Sequence, residues 1–286
     1  MKPTPSLNRQ PSLPHDHGVF SVTGLPAFND NYIWVIQTAT NAQCVAVVDP
    51  GDAAPVMDYC RRHGCLPEKV WLTHHHADHT GGVAELSAWV KAQGGELSVY
   101  GPSMETIPDV THPLGGGECF HFGDLTIGVL SLPGHTWGHL AYVVNDADQK
   151  MPPALFCGDV LFGLGCGRLF EGTAAQMAAS LEQIRRLPQN TQIYCAHEYT
   201  ALNLPFALAV DPGNAALQAR AASIRARRQA GEATVPLTLA EECATNPFLR
   251  CEQPALAAAA MVPEGASPVD VFTRLRQMRD TFKVPQ

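Results

Sequence analysis

Apolar and β-branched residues fall in short runs over the first 160 positions, each bounded by Gly, Pro, Asn or Asp. They predict strands at Tyr32–Gln37, Gln43–Asp49, Val70–Thr73, Leu97–Tyr100, Leu125–Leu132, Leu140–Val144 and Ala154–Cys157. Helical periodicity takes over at Ala53–His63, Val83–Gln93 and Thr173–Leu187. Thr173 is placed to cap the last of these, and Gln176 completes a capping box. Mixed strands with interspersed helices predict an α/β class, with sheets covered by helices. From about residue 200 the texture changes to Ala-rich helical segments at Ala215–Ala230, Pro254–Ala260 and Pro268–Asp280, with no strand between them. A main body over 19–199 and a helical unit over 200–286 are therefore expected. Residues 1–18 hold four prolines and few apolar positions, so they read as a flexible leader. The pair His15 and His17 within it reads as solvated, as does the Arg220, Arg225, Arg227 and Arg228 group on a helix face.

One stretch carries far more chemistry than the rest: Thr73-His74-His75-His76-Ala77-Asp78-His79, followed by Gly81-Gly82. Four imidazoles and a carboxylate within six residues suit a divalent cation, because neutral imidazole and carboxylate are ligands that zinc-like ions prefer. If Val70–Thr73 is a buried strand, alternation throws His74, His76 and Asp78 to one side and His75 to the other. His79 follows Asp78 directly and need not aim at the same point. That spacing reads as two adjacent cation positions.

Length allows one large domain plus an appendage: 286 residues, 45% hydrophobic and 16% charged. Net charge is −8, spread unevenly. Residues 1–215 carry 10 Lys/Arg against 20 Asp/Glu, whereas residues 216–286 carry 9 against 7. An acidic body excludes a general nucleic-acid binder, which needs a basic stripe, and the mildly basic tail suggests capture of a small anion. Nine scattered cysteines without C-x-x-C spacing read as reduced thiols in a cytoplasm rather than a disulfide framework. No apolar run has the length of a membrane span, and no h-region of a signal peptide is present.

Three later motifs place a histidine or aspartate just past an apolar run: Pro133-Gly134-His135-Thr136-Trp137-Gly138-His139, Cys157-Gly158-Asp159 and Cys195-Ala196-His197-Glu198-Tyr199. With the first cluster they give seven potential ligands: His74, His76, Asp78, His79, His135, Asp159 and His197. Seven suits two cations with one bridging carboxylate. Asp49 is a candidate partner for a ligand imidazole, with turn capping as the alternative, and His139 has similar standing. Cys157 and Cys195 read as small buried residues rather than nucleophiles.

With these motifs, Phe28-Asn29-Asp30-Asn31-Tyr32, the run Gly165 to Thr173, Asn246-Pro247-Phe248-Leu249-Arg250 and the tail Arg276 to Pro285, the chain resembles the metallo-β-lactamase-fold hydrolases. Among them it resembles the hydroxyacylglutathione hydrolases (glyoxalase II). The resemblance spans nearly everything after residue 20. It implies an αββα metallo-β-lactamase-type sandwich followed by a small C-terminal α-helical domain, so that 19–199 is the catalytic domain and 200–286 binds glutathione. It implies His74, His76 and His135 on one metal, Asp78, His79 and His197 on the other, and Asp159 bridging. Zinc is the first expectation for both metals, with iron or manganese as alternatives. It also implies glutathione contacts at Arg168, Phe170, Tyr199, Arg276 and Arg279. The family often has lysine at positions 168 and 279 and tyrosine at 170, so this chain offers forked guanidinium groups and lacks one hydroxyl.

The implied activity is hydrolysis of S-D-lactoylglutathione to glutathione and D-lactate, the second step of methylglyoxal detoxification, by a cytoplasmic monomer. A water between two cations can lose its proton near pH 7 and attack the acyl carbon, with Asp78 and Asp159 as candidate proton relays. A mononuclear iron persulfide dioxygenase on the same scaffold would leave His79 and His197 dispensable. A non-catalytic metal-binding module is the remaining alternative.

Overall fold

The structure, a computed structural model, describes residues 12, 14–146 and 151–283. Its first sheet follows chain order: β1 (His15–Asp16), β2 (Phe20–Ala27), β3 (Asn31–Thr38), β4 (Cys44–Val48), β5 (Leu66–Trp71), β6 (Ser98–Pro102) and β7 (His112–Leu114). Pairing is antiparallel from β1 to β4 and parallel from β4 to β7. The parallel crossovers run through α1 (Ala53–His63), and through the single turn α2 (Ala77–Thr80) and α3 (Val83–Ala92). The second sheet contains β8 (Cys119–Phe122), β9 (Leu125–Ser131), β10 (Leu140–Asp146) and β11 (Ala154–Gly158). A two-stranded ribbon follows, β12 (Leu161–Phe162) with β13 (Gly165–Cys166). Then β14 (Gln192–Cys195) pairs parallel to β11, and β15 (Leu237–Thr238) pairs antiparallel to β14.

Alternation explains the layering. Tyr32, Trp34 and Ile36 of β3, with Ala46, Val48 and Trp71, enter the core between the sheets. Their neighbours Ile33, Val35, Val45, Val47 and Val70 face the other way and meet Val56, Cys60 and Leu86 of the covering helices. Each such large aliphatic or aromatic side chain contributes about 1.5–3 kcal/mol on burial. The second sheet joins the first core, to which α4 (Ala174–Arg185) adds Met177, Leu181 and Ile184. Thr173 caps α4 and forms the expected capping box with Gln176. The architecture is therefore the expected αββα sandwich with a helical C-terminal region. That region comprises α5 (Thr200–Val210), α6 (Ala215–Gln229), α7 (Leu239–Thr245), a 3-10 turn at Pro247–Leu249, α8 (Pro254–Ala260) and α9 (Pro268–Thr281).

Three expectations need correction. The leader does not extend to residue 18, since β1 pairs with β2 and His17 is buried, stacked on Phe20 and 2.7 Å from the Tyr194 hydroxyl. Residues 1–11 and 13 of that leader lie outside the described residues. The region after residue 200 is not purely helical, because β15 completes the second sheet. The arginine group of α6 is not uniformly solvated: Arg220 is buried, paired with Glu242 and 3.0 Å from Glu241 Oε2. A buried guanidinium needs such partners, and spacing along one helix does not show a partner from another.

Candidate metal centre and substrate cleft

Strand ends deliver the candidate ligands to one edge of the sandwich. The chain leaves β5 into residues 72–76, leaves β9 towards His135, and leaves β11 and β14 just before Asp159 and His197. Gly158 makes the turn into Asp159 at φ +49, and a Cβ there would lie 2.4 Å from Thr73 Oγ1. Gly167 is needed for approach, since a Cβ would lie 1.9 Å from the Asp159 carbonyl oxygen.

All seven candidate ligands converge. The ligand atoms of His74, His76 and His135 lie within 4.8 Å of one another, as do those of Asp78, His79 and His197. His76 Nδ1 is 2.9 Å from His74 Nε2 and 3.1 Å from His135 Nε2. Asp159 stands between the two groups, with Oδ2 3.3 Å from His135 Nε2 and Oδ1 3.5 Å from His79 Nε2 and 3.4 Å from His197 Nε2. His75 faces away, as alternation implies, towards Glu105 and Glu171. Strand alternation would place Asp78 with His74 and His76, but the structure groups it with His79. Past Trp71 the strand ends, and the helical turn α2 brings consecutive Asp78 and His79 within 3.5 Å, both towards His197.

The donor set fits divalent metal. His79 Nε2 and Asp159 Oδ1 are buried without a hydrogen-bond partner, which costs free energy unless something neutralises them. Three imidazole nitrogens facing one another cannot all be satisfied by a proton.

Neighbouring groups orient each ring. The His79 Nδ1–H donates to Asp49 Oδ2 (3.0 Å), and that carboxylate also accepts from the Thr73 hydroxyl and amide. His74 Nδ1–H donates to Thr73 Oγ1 (3.0 Å) and His135 Nδ1–H to the Arg168 carbonyl (2.8 Å). His197 Nδ1–H donates to Asp30 Oδ1 (2.8 Å), and Asn31 donates to Asp78 Oδ2 (3.0 Å). His139 Nε2 accepts from the Asp159 amide, and its ring stacks on His74. For His79, His74, His135 and His197 the bond at Nδ1 turns the free Nε2 inward and strengthens it as a ligand.

Protonation differs across the centre. Burial, then repulsion among the imidazoles, pushes His74 and His76 below the ordinary value; burial does the same to His135 against the pull of Asp159. Burial also works against charge on His79 and His197, but Asp159, with Asp49 or Asp30, wins and raises both, His197 to about 10. Burial would raise the Asp159 carboxyl, yet His197 and His79 hold it well below the usual range.

The centre opens into a cavity of about 580 Å³ whose walls include Arg168, Phe170, Tyr199, Arg276 and Arg279. Tyr199 stacks on the His197 ring at 4.7 Å. Phe170 is exposed, edge-on to His76 and His135. Arg276 and Arg279 share the inward face of α9; Arg276 bonds Cys166 O and Asp280, and Arg279 bonds Asn203. Sequence reasoning had not singled out Asp30, Asn31, Phe162, Leu202 and Asn203, although the first two lie in a motif it quoted. Cys157 and Cys195 are fully buried, as expected.

Comparison with known proteins gives a consistent picture. Residues 28–197 match the metallo-beta-lactamase superfamily and residues 198–282 match the family described as hydroxyacylglutathione hydrolase C-terminus. A hydroxyacylglutathione hydrolase from Dechloromonas aromatica is 49% identical over 280 residues, covering 92% of this chain and all of the relative. One from Cupriavidus taiwanensis is 48% identical over 271 residues, covering 93% and 100%. Among solved structures, ETHE1 from Myxococcus xanthus superposes with a TM-score of 0.58 at 20% identity, covering 90% of this chain and 88% of that one, a likeness of fold alone.

Proposed function

Because this chain belongs to the hydroxyacylglutathione hydrolase family, we infer that it hydrolyses the thioester of S-(2-hydroxyacyl)glutathiones, S-D-lactoylglutathione among them, to glutathione and the 2-hydroxy acid. The observation that carries this reading is the convergence of seven His and Asp side chains at the floor of an arginine-walled cavity. Two divalent cations, zinc first, would be held by His74, His76 and His135 on one side and by Asp78, His79 and His197 on the other, with Asp159 between them. When bound, such a pair supplies Lewis acidity, acidifying water to near neutral pH and polarising the acyl carbonyl. The grouping of Asp78 with His79 and His197 supports a second cation, for which a one-iron dioxygenase has no need.

The side chains do the rest. Asp49 and Asp30 hold the Nδ1 protons of His79 and His197, so that Nε2 is the nitrogen each ring offers to a cation. Asp159 divides its oxygens between the two halves and fixes their separation. Phe170 shields the rings of His76 and His135 with an apolar edge. Burial, then Arg276 and Arg168 nearby, push Arg279 below its ordinary value, which marks positive charge short of counter-charge. Arg276 keeps its Nε–H buried and unpaired. Both features suit the carboxylates of glutathione. All nine cysteines are free and, among the described residues, no helix is long and apolar enough to cross a membrane. The free thiols support placement in a reducing cytoplasm. The acidic body supports a small-molecule partner over nucleic acid, and a monomer is the simplest assembly.

Supplying S-D-lactoylglutathione and following thiol, D-lactate and dissolved oxygen tests the assignment. Equal release of thiol and D-lactate with no oxygen uptake is expected; oxygen uptake with a persulfide substrate and no thioester turnover would replace it with the dioxygenase.

A further inference from the structure

The loop between β6 and β7 brings Glu105 behind the three-histidine half of the centre, where only 3% of its side chain is exposed. Its two oxygens accept four hydrogen bonds. Oε2 accepts from the His75 amide at 2.6 Å and is 2.9 Å from His75 Nδ1, while Oε1 accepts from the Thr136 hydroxyl at 2.5 Å and the Gly138 amide at 3.0 Å. Two donors belong to the loop that carries His74 and His76, and two to the loop that carries His135. Gly138 leaves room for this, since a Cβ there would lie 2.6 Å from Glu105 Cγ. His75 continues the chain: its Nε2 is 3.4 Å from Glu171 Oε1, and Glu171 Oε2 accepts from the Trp137 amide at 2.8 Å.

We propose that Glu105 is a positioning residue for the cation held by His74, His76 and His135, clamping their two loops together through His75, Thr136 and Gly138. The proposal rests on the metal-centre reading above. The three ligands come from two loops 59 residues apart in sequence, so their mutual distances depend on the contacts that join those loops. A carboxylate suits the task because each oxygen serves two donors. Glutamine has the same shape but one acceptor oxygen, and its amide nitrogen would face two donors, leaving one loop unclamped. His75, Glu105 and Glu171 also place one donor atom each within 4.8 Å, but the Glu105 oxygens are already engaged by four donors, so a clamp explains the trio better than a third cation does.

The test is zinc titration of metal-free wild type, Glu105→Gln and Glu105→Ala against a chromophoric chelator, with circular dichroism of each variant. Glu118→Ala, which removes an exposed loop carboxylate that accepts from the Gly115 and Gly116 amides, is the control. Two sites are expected in wild type and control. In both Glu105 variants, one site should weaken by roughly 10–100-fold with the other unchanged. Folded Glu105 variants with two wild-type affinities would overturn the proposal. So would a third wild-type equivalent lost on mutation, which would make the trio a cation site. A wild type that binds fewer than two ions fails the parent reading instead, and the two failures are thereby told apart.

Discussion

The two halves of the centre contain similar ligands in opposite electrostatic surroundings. His74 and His135 are buried and His76 is half-buried, and burial with the crowding of neighbouring imidazoles drives all three to the neutral form, ready to bind a cation without losing a proton. His79 and His197 are buried as well, but each has a carboxylate besides Asp159, Asp49 for the one and Asp30 for the other, so a cation there must displace protons. Burial alone does not set a histidine's state: at His135 it outweighs Asp159, whereas at His79 and His197 a second carboxylate, Asp49 or Asp30, tips the balance the other way. One half is emptied in advance by its own crowding, whereas the other is held together by exchangeable positive charge.

The substitution with the largest expected effect is Asp159→Ala, which removes the carboxylate shared by both halves. kcat/KM should fall by roughly 10³ or more, at about 1.4 kcal/mol per decade, with loss of metal from both positions. Loss from one position alone would show that Asp159 does not span them. Next comes Asp30→Ala, which strips support from His197 and leaves the three-histidine half untouched. One cation should bind roughly 10–100-fold more weakly, as seen in chelator competition, and equal weakening of both would break the distinction. Arg276→Ala should leave both halves full and raise KM for the glutathione thioester about tenfold, the value of one charge-assisted hydrogen bond. A KM within about twofold of wild type would remove Arg276 from the substrate wall.

The smallest signal is the most specific to the comparison. Against burial, Asp159 and Asp30 push His197 up to about 10, so near neutral pH it holds a proton that metal must expel, while the three lowered imidazoles hold none. Calorimetric titration of metal-free protein in two buffers of different ionisation heat should show proton release for one cation and almost none for the other. The same sign makes the His197 contribution to metal-free stability complete below about 6.5 and lost as pH rises through about 10. Equal release at both positions would erase the difference between the halves.

Much of this centre was legible because its ligands sit in compact motifs at strand ends, where period and punctuation can be read. His75 could be set apart from His74 and His76 by alternation alone. Legibility failed where contacts are long in sequence. Asp30 reaches His197 across 167 positions and Glu105 reaches Thr136 across 31, and no local pattern reports either. Strand β2 hid behind Gly24 and Pro26. Proline is tolerated there because, among the described residues, β1 pairs only with Ser21 and Val22, and Pro26 lies beyond it on the sheet edge. Helix α5 was masked in the same way by Pro205. The partners of Arg220 come from α7, which alanine-rich periodicity does not reveal.

Reconstitution provides the most direct measurement: strip the protein with chelator, then add zinc stepwise while following hydrolysis of S-D-lactoylglutathione and bound metal together. The account predicts no turnover in the stripped protein and a maximum when two equivalents are bound. Undiminished thioester hydrolysis with no metal detectable would contradict it.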